Sequence, residues 1–174
     1  VSLEDLNREY EPSPKSFFCN FLFSNTSGER VRIFDTLSRY KRIDSCGPLL
    51  NNSGYLVSGR GDQIDKINFI NNYKFTIAAE NSKYNGYTTE KMIHPMSVRS
   101  IPIYWGSDTV EDDFNPNAFI NANKLSGNDL LDFVKYVDTY ESVSHEMTTA
   151  PIFTENALDL VSPERVLQFI ESIL

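Results

Sequence analysis

The sequence lacks the residues that usually build metal sites and disulfide frameworks. Its 174 residues contain two cysteines, Cys19 and Cys46, and two histidines. Two isolated thiols do not form a disulfide framework, which favours a reducing compartment. No CxxC motif or histidine-rich spacing indicates a metal site. We therefore expect a cytoplasmic protein that needs no metal and no cofactor.

Long apolar runs and clustered positive charge are also missing. No stretch of eighteen apolar residues occurs, so a membrane span or other membrane association is not visible in the sequence. The formal net charge of −8 argues against nucleic acid as a partner, because phosphate backbones bind clustered lysine and arginine. The hydrophobic share of 40% and the aromatic share of 13% are enough for one packed domain.

Familiar phosphate-binding motifs do not occur either. Gly59-Arg-Gly61 is not followed by the rest of a GxGxxG dinucleotide fingerprint, and no GxxxxGK[ST] motif is present. No Asp-x-Asp pair occurs, so a metal-bridged diphosphate has no support in the sequence. A diphosphate bound by this chain would need cationic side chains and helix N-termini instead.

Apolar runs alternate with helical patterns between residues 16 and 125. The polar, proline-containing residues 1–15 predict a linker, as if the chain began inside a longer polypeptide. Strands are predicted over residues 17–23, 42–44, 73–79, 101–105 and 118–121, and helices over 29–40, 63–71 and 89–99. Pro95 should strain or end the last helix. We expect an α/β, Rossmann-like parallel sheet with helices on both faces. Further helices within residues 126–174 would pack on the same domain.

Polar residues follow each of the first four predicted strands, at 24–28, 45–47, 80–82 and 106–107. The carboxyl ends of parallel strands meet at one edge of a sheet, where open α/β sheets bind ligands. Beside this edge lies the block Gly86-Tyr-Thr-Thr-Glu-Lys91, in which Thr88 or Thr89 would cap a helix. The sequence therefore predicts a ligand crevice here.

The residue types in this block suit a nucleotide. Lys91, together with Arg30 near the start of the first helix, would offer two positive charges and a helix N-terminus to a diphosphate. Glu90 has acceptor oxygens for ribose hydroxyls, and Tyr87 offers a flat face to a base or sugar. The alternative, which spacing alone favours, is a capped surface helix with a solvated glutamate and lysine.

Motifs in order along the chain carry a family resemblance. They are Phe18-Cys-Asn-Phe-Leu-Phe-Ser-Asn25, Arg30 before Phe34-Asp-Thr-Leu37, Tyr40-Lys-Arg-Ile-Asp-Ser-Cys-Gly47, Tyr73-Lys-Phe-Thr-Ile-Ala-Ala-Glu-Asn-Ser82, Gly86-Tyr-Thr-Thr-Glu-Lys91, Ile101-Pro-Ile-Tyr-Trp-Gly106 and Asp113-Phe-Asn-Pro-Asn-Ala-Phe-Ile-Asn121. Together they resemble the α1,3-fucosyltransferase family, glycosyltransferase family 10, in its bacterial form. The resemblance covers residues 16 to 121.

The resemblance implies a C-terminal donor-binding domain, one half of a GT-B architecture with two facing Rossmann-like domains. In the family, the residues matching Arg30 and Lys91 contact the diphosphate of GDP-fucose. The residue matching Glu90 holds the ribose. The residue matching Tyr87 lines the nucleotide site, and Asn81 lies beside these residues.

The implied activity is an inverting, metal-independent transfer of fucose from GDP-fucose to a glycan acceptor, in protein glycosylation or lipopolysaccharide synthesis. The family's general base belongs to an N-terminal acceptor domain, so this chain is expected to hold no catalytic residue and to transfer little alone. Ala79 stands where family members usually have a bulky residue, which would loosen the pocket. Two alternatives stay open: a non-catalytic nucleotide-sugar-binding module, and a transferase with another NDP-sugar donor.

Overall fold

A five-stranded parallel sheet forms the centre of the described part of the chain. The computed structural model describes residue 6 and residues 13–57, 63–160 and 162–173. Most of the predicted linker and the Gly59-Arg-Gly61 segment lie outside these residues. The strands are β1 (Phe17–Phe21), β2 (Ile43–Ser45), β3 (Tyr73–Ala79), β4 (Ile101–Trp105) and β5 (Ile120–Asn121). Their order is β2-β1-β3-β4-β5 and every pairing is parallel.

Helices follow or connect the strands. They are α1 (Gly28–Ser38), α2 (Gln63–Ile70), α3 (Glu90–Ser97), α4 (Val110–Asp113), α5 (Gly127–Thr139), α6 (Glu141–Thr149), α7 (Glu155–Leu160) and α8 (Pro163–Ile173), with a 3₁₀ turn at Pro116–Ala118. Within the described ranges, each helix is too short or too polar to cross a bilayer.

Two apolar layers enclose the sheet. On one face, Ile33 and Leu37 of α1 share a core with Val134 and Val137 of α5 and with strand residues such as Phe75. On the other face, Met92 and Met96 of α3 pack with Ala78, Tyr104 and Val110. Continuous apolar strands buried on both faces are typical of parallel sheets. The predicted α/β class with helices on both faces is confirmed.

Several predicted boundaries were close to those observed and others were not. β3 and β4 match their predicted ranges, whereas β1 ends at Phe21, two residues early. Pro95 lies inside α3, which ends two residues later at Ser97. This agrees with the loss of a backbone donor at proline. A short helix, α4, spans Val110–Asp113.

The strand order places a crevice between β1 and β3. The chain leaves β1 for β2 on one side and continues from β3 to β4 on the other, so the connections diverge at this pair. Ligands of open α/β sheets bind where connections diverge in this way, beyond the carboxyl ends of the strands. Because α1 and α3 each follow a strand in this region, their first turns lie at the same edge.

Asp138 ties α5 to the sheet and to the end of α1. Its Oδ2 accepts hydrogen bonds from Lys41 Nζ and from Tyr40 Oη, the latter at 3.0 Å. Lys74 Nζ, on β3, lies 3.3 Å from its Oδ1. Burial opposes ionisation of this carboxyl, but the two hydrogen bonds and the charges of Lys74 and Lys41 outweigh burial and lower the pKa of Asp138.

Replacing Asp138 by asparagine should destabilise the fold by about 1–3 kcal/mol at neutral pH, because a charged hydrogen-bond acceptor is lost. Because the pKa of Asp138 is lower in the folded protein, its charge stabilises the fold fully at pH values above the unfolded-state pKa, about 4. This contribution disappears as the pH falls through the folded-state pKa. The difference between wild type and Asp138→Asn should therefore shrink below about pH 4. Urea denaturation across pH values measures it.

Asp132→Asn is the matched control, since Asp132 lies on the same helix with its side chain 73% exposed. It should change the free energy of unfolding by no more than about 0.5 kcal/mol. A difference for Asp138→Asn that stays constant down to pH 2 would contradict the assigned role of its charge.

Candidate functional site

The end of β3 receives a buried guanidinium from α1. Arg30 Nε and Nη2 donate to the carbonyl oxygen of Ala79 at 3.2 and 3.0 Å. Nη1 donates to Asn25 O at 3.0 Å, and Nη2 also donates to Asn81 Oδ1. The carbon of the guanidinium lies 4.3 Å from the centre of the Phe23 ring. Arg30 therefore joins the carboxyl ends of β1 and β3, across the crevice.

Among the described residues, no carboxylate forms a direct ion pair with Arg30. Each of its described acceptors is a neutral carbonyl or amide oxygen. Burial lowers the pKa of Arg30, while the negative charge of Glu80 acts in the opposite direction. The buried positions of α1 include Arg30 and Ile33 alongside Leu37. Main-chain acceptors make burial of this arginine tolerable.

Glu80 receives the second cation from the opposite face. Its side chain is fully buried. Oε1 accepts from the N–H and the hydroxyl of Thr89, both at 2.8 Å, and Oε2 lies 3.0 Å from Lys91 Nζ. A buried carboxylate is tolerated when it is paired and hydrogen-bonded in this way. Glu80 is thus the link between the end of β3 and the start of α3.

The start of α3 is capped as predicted but is not free for a ligand. Thr89 is the N-cap residue, and its hydroxyl accepts from Lys91 N at 3.5 Å. The backbone N–H of Thr89 is already bonded to Glu80. The carboxylate of Glu80 therefore occupies part of the helix N-terminus at which the sequence predicted a diphosphate. The first two N–H groups of α1, at Gly28 and Glu29, have no acceptor among the described residues.

The remaining predicted residues form the outer wall of the site. Glu90 has a half-exposed side chain whose Oε1 lies 3.6 Å from Lys91 Nζ. Burial alone would raise the pKa of Glu90, but the charge of Lys91, hydrogen bonds at the helix start and the charge of Lys66 lower it. Tyr87 is 40% exposed, and Asn81 is exposed apart from its bond to Arg30. Exposed acceptors and a flat ring are thus available to a ligand.

A loop anchor sets the position of Tyr87. Gly86 adopts φ +73°, a left-handed conformation that favours glycine. Its N–H donates to Ser107 Oγ at 2.9 Å and to Thr109 Oγ1 at 3.1 Å, beyond the end of β4. The Tyr104 hydroxyl lies 3.4 Å from the carbonyl oxygen of Tyr87. These contacts hold the loop across the ends of β3 and β4.

The structure therefore brings the predicted residues together around one short segment. Arg30 contacts Asn81 directly, and Glu90 lies beside Lys91. The linking role of Glu80 was not predicted, although an acidic residue directly after a buried strand was the available signal. The anchors Ser107 and Thr109 carried no signal beyond being polar.

Within the described residues, neither a metal-binding cluster nor a large apolar cavity offers a competing site for a charged ligand. No group of three or more metal-ligating side chains occurs within residues 13–57, 63–160 and 162–173. A cavity of about 510 Å³ lies away from the crevice, with a mostly apolar lining that includes Phe119, Leu125 and Phe133. An apolar cavity does not suit an anionic ligand.

Glu80→Gln should lower the free energy of unfolding by about 1–3 kcal/mol, because an amide cannot accept from Thr89 and Lys91 with both oxygens. The matched control is Glu90→Gln, the same change on a half-exposed neighbour, which should cost about 0.5 kcal/mol or less. Urea denaturation of both variants is the measurement. Equal losses would show that burial of Glu80 does not matter to the fold.

Comparisons with known proteins agree with this geometry. The family model for glycosyltransferase family 10 (fucosyltransferase) C-term matches residues 13–146. The chain is 31% identical over 180 residues to an alpha-(1,3)-fucosyltransferase of Helicobacter pylori, covering 97% of this chain and 35% of that protein. Its relatives are thus considerably longer than the chain.

Two solved α1,3-fucosyltransferase structures also resemble the chain. One is a complex with GDP-fucose, with a TM-score of 0.74 and 30% identity over 91% of this chain and 47% of the solved chain. The other contains GDP, with a TM-score of 0.78 at the same identity and the same coverage of both chains. The fold is thus one half of the architecture of these enzymes. The chain belongs to glycosyltransferase family 10, the fucosyltransferases, and matches its C-terminal domain.

Proposed function

We propose that this chain is the donor-binding part of an inverting α1,3-fucosyltransferase that transfers fucose from GDP-fucose to a glycan acceptor. Residues 16–125 would form the donor domain, with residues 126–174 packed on it. The solved relatives in complex with GDP-fucose and GDP support the choice of donor. The chain spans about half the length of those relatives, so the acceptor would bind mainly to another domain.

One observation carries the proposal. The two predicted cations reach the same three-residue segment, Ala79 to Asn81, from opposite faces of the sheet. This segment lies at the end of β3, beside the crevice where open α/β sheets bind nucleotides. Arg30 and Lys91 are thereby placed to attract a diphosphate without a metal ion.

The outer wall provides the remaining contacts in this proposal. Glu90, with its half-exposed carboxylate, would accept hydrogen bonds from the ribose hydroxyls. Tyr87 would pack its ring against the nucleotide, held there by the Gly86 anchor. Asn81 would keep Arg30 in position through its Oδ1 and present its amide to the donor.

The reaction would be a single displacement at C1 of fucose. The acceptor oxygen attacks C1 as the bond to the diphosphate breaks, and GDP leaves with the electron pair. Arg30 and Lys91 would stabilise the negative charge that grows on the leaving diphosphate. This stabilisation is large when the cationic groups are held in place before the reaction. Hydrogen bonds to main-chain carbonyl oxygens hold Arg30 in this way.

The base that removes the acceptor proton would come from outside this chain. Glu80 is fully buried and bound to Thr89 and Lys91, so it is not available to an acceptor hydroxyl. Glu90 is assigned to the ribose. Loss of a general base costs typically 10²–10⁴-fold in rate. The chain alone should therefore bind donor and transfer little.

We place the reaction in the cytoplasm, since both described cysteines are free thiols, as a reducing compartment favours.

A non-catalytic nucleotide-sugar-binding module and a transferase for another NDP-sugar are the alternatives. Both alternatives keep the cationic site. A transferase for another NDP-sugar would prefer a different nucleobase, and a non-catalytic module would stay inactive when an acceptor domain is added.

Lys91→Met should weaken GDP binding by about tenfold or more, because a charge-assisted hydrogen bond of about 1.5–3 kcal/mol is lost. Lys83→Met is the matched control, since Lys83 lies in the loop that precedes α3, half-exposed and paired with Asp108. Titration calorimetry measures both, and thermal unfolding checks that the variants fold. Wild-type affinity in Lys91→Met would contradict the role assigned to Lys91.

GDP should bind more tightly than UDP or ADP in the same titrations, and EDTA should leave its affinity unchanged. The first result follows from the guanosine donor, and the second from the use of protein cations in place of a divalent ion. Equal affinity for the three nucleotides would favour a different donor. A loss of GDP affinity in EDTA, restored by Mg²⁺ or Mn²⁺, would contradict metal-independent binding.

A further inference from the structure

Lys66 is a desolvated cation without a counterion in the described part of the chain. It lies in the first turn of α2, and its side chain is partly buried. Burial lowers the pKa of Lys66, partly offset by the charge of Glu90 and reinforced by that of Lys91. No described carboxylate lies within ion-pair distance of its Nζ, and no described residue accepts a hydrogen bond from it. Burying an unpaired charge costs stability, so its presence calls for a reason.

The charges around the end of β3 show what Lys66 adds. Arg30 and Lys91 are balanced in number by the carboxylates Glu80 and Glu90. Of these, Lys91 lies within 4 Å of both carboxylates. Lys66 and Lys91 line the same small cavity, so Lys66 lies beside this cluster. Without Lys66 the cluster is neutral, and with it the cluster carries one net positive charge.

Lys66 and Lys91 both line one small cavity, whose walls are mostly apolar. Its volume of about 20 Å³ holds roughly one water molecule, so it does not hold a nucleotide. His94 and Asn20 also line it, and their atoms Nδ1 and Oδ1 are buried without a hydrogen-bond partner in the described structure. Buried polar atoms are seldom left unpaired. The cavity lined by the two lysines therefore contains two buried polar atoms whose hydrogen-bonding capacity is unused.

Chain direction orients the first turn of α2, which carries Lys66, toward the carboxyl edge of the sheet. Helices α2 and α3 both run from the carboxyl edge of the sheet back to the start of the next strand. Their first turns, which carry Lys66 on α2 and both Glu90 and Lys91 on α3, therefore lie at that edge. The two helices also contact one another.

We propose that Lys66 is a third cationic contact for the donor, binding the phosphate groups of the nucleoside diphosphate beside Lys91. This rests on the proposed function of the site. An anionic ligand would supply the counterion that the free chain lacks. The stability that Lys66 costs the free protein would be returned on binding, as is common at functional sites.

The test compares Lys66→Met with wild type for two probes, GDP and guanosine, by competition against a fluorescent GDP analogue. Lys66→Met should weaken GDP binding by about tenfold or more and leave guanosine binding unchanged. Lys66→Arg should keep most of the GDP affinity, because it keeps the charge. Lys135→Met, a half-exposed lysine on α5, is the control and should change neither affinity.

Thermal unfolding of the ligand-free variants supplies a readout that a structural role would not give. Because an unpaired desolvated charge is removed, Lys66→Met should have the same unfolding midpoint as wild type or a higher one. Equal loss of affinity for GDP and guanosine, a lowered midpoint, or unchanged GDP affinity would each overturn the proposal. Absence of GDP binding in the wild type would instead overturn the proposed function and this inference with it.

Discussion

A carboxylate with no exposed surface organises the end of β3. Glu80 accepts hydrogen bonds from Thr89 on one side and lies against Lys91, so the first turn of α3 is held to the sheet by charge as well as by packing. A buried ion pair of this kind is weak evidence for stability, because desolvation offsets much of its attraction. The main consequence of the Glu80–Lys91 ion pair is that it positions Lys91. The direction in which Lys91 points is decided before any ligand arrives.

The same segment restrains Arg30 from the other face. The guanidinium is bound by the Ala79 carbonyl oxygen and stacked on Phe23, and neither partner reduces its charge. The protein therefore holds one cation paired and the other unpaired, on two sides of a single strand end. This arrangement depends on β1 and β3 being neighbours, which the strand order provides. Preorganised cations cost little reorganisation when charge develops nearby, which is the property a leaving diphosphate requires.

The sequence was a good guide to the sheet and a poorer guide to the charges. β3 and β4 were predictable to the residue, because continuous apolar runs bounded by polar residues have few other interpretations. Arg30, Asn81, Glu90 and Lys91 were predictable as neighbours, through the motifs that carry the family resemblance. The burial of Arg30 was not, since arginine in a helix normally predicts a solvated face. Its burial is tolerable because Ala79 O, Asn25 O and Asn81 Oδ1 accept its hydrogen bonds. The roles of Glu80 and Lys66 depend on elements that are distant in sequence and meet only in the fold, so no local sequence pattern predicts them.

The balance of charge explains why a site for an anion is built with two carboxylates. Glu80 and Glu90 balance Arg30 and Lys91 in number, so the cluster around the end of β3 is neutral apart from the charge of Lys66. A crevice of strongly positive charge would bind any phosphate, whereas a nearly balanced one needs a ligand that also satisfies the acceptors. In the proposed function, ribose hydroxyls would donate to Glu90 while the diphosphate faces the cations, and inorganic phosphate offers no comparable set of donors. The carboxylates would then contribute selectivity for a nucleotide, and Lys66 would restore the attraction that they remove.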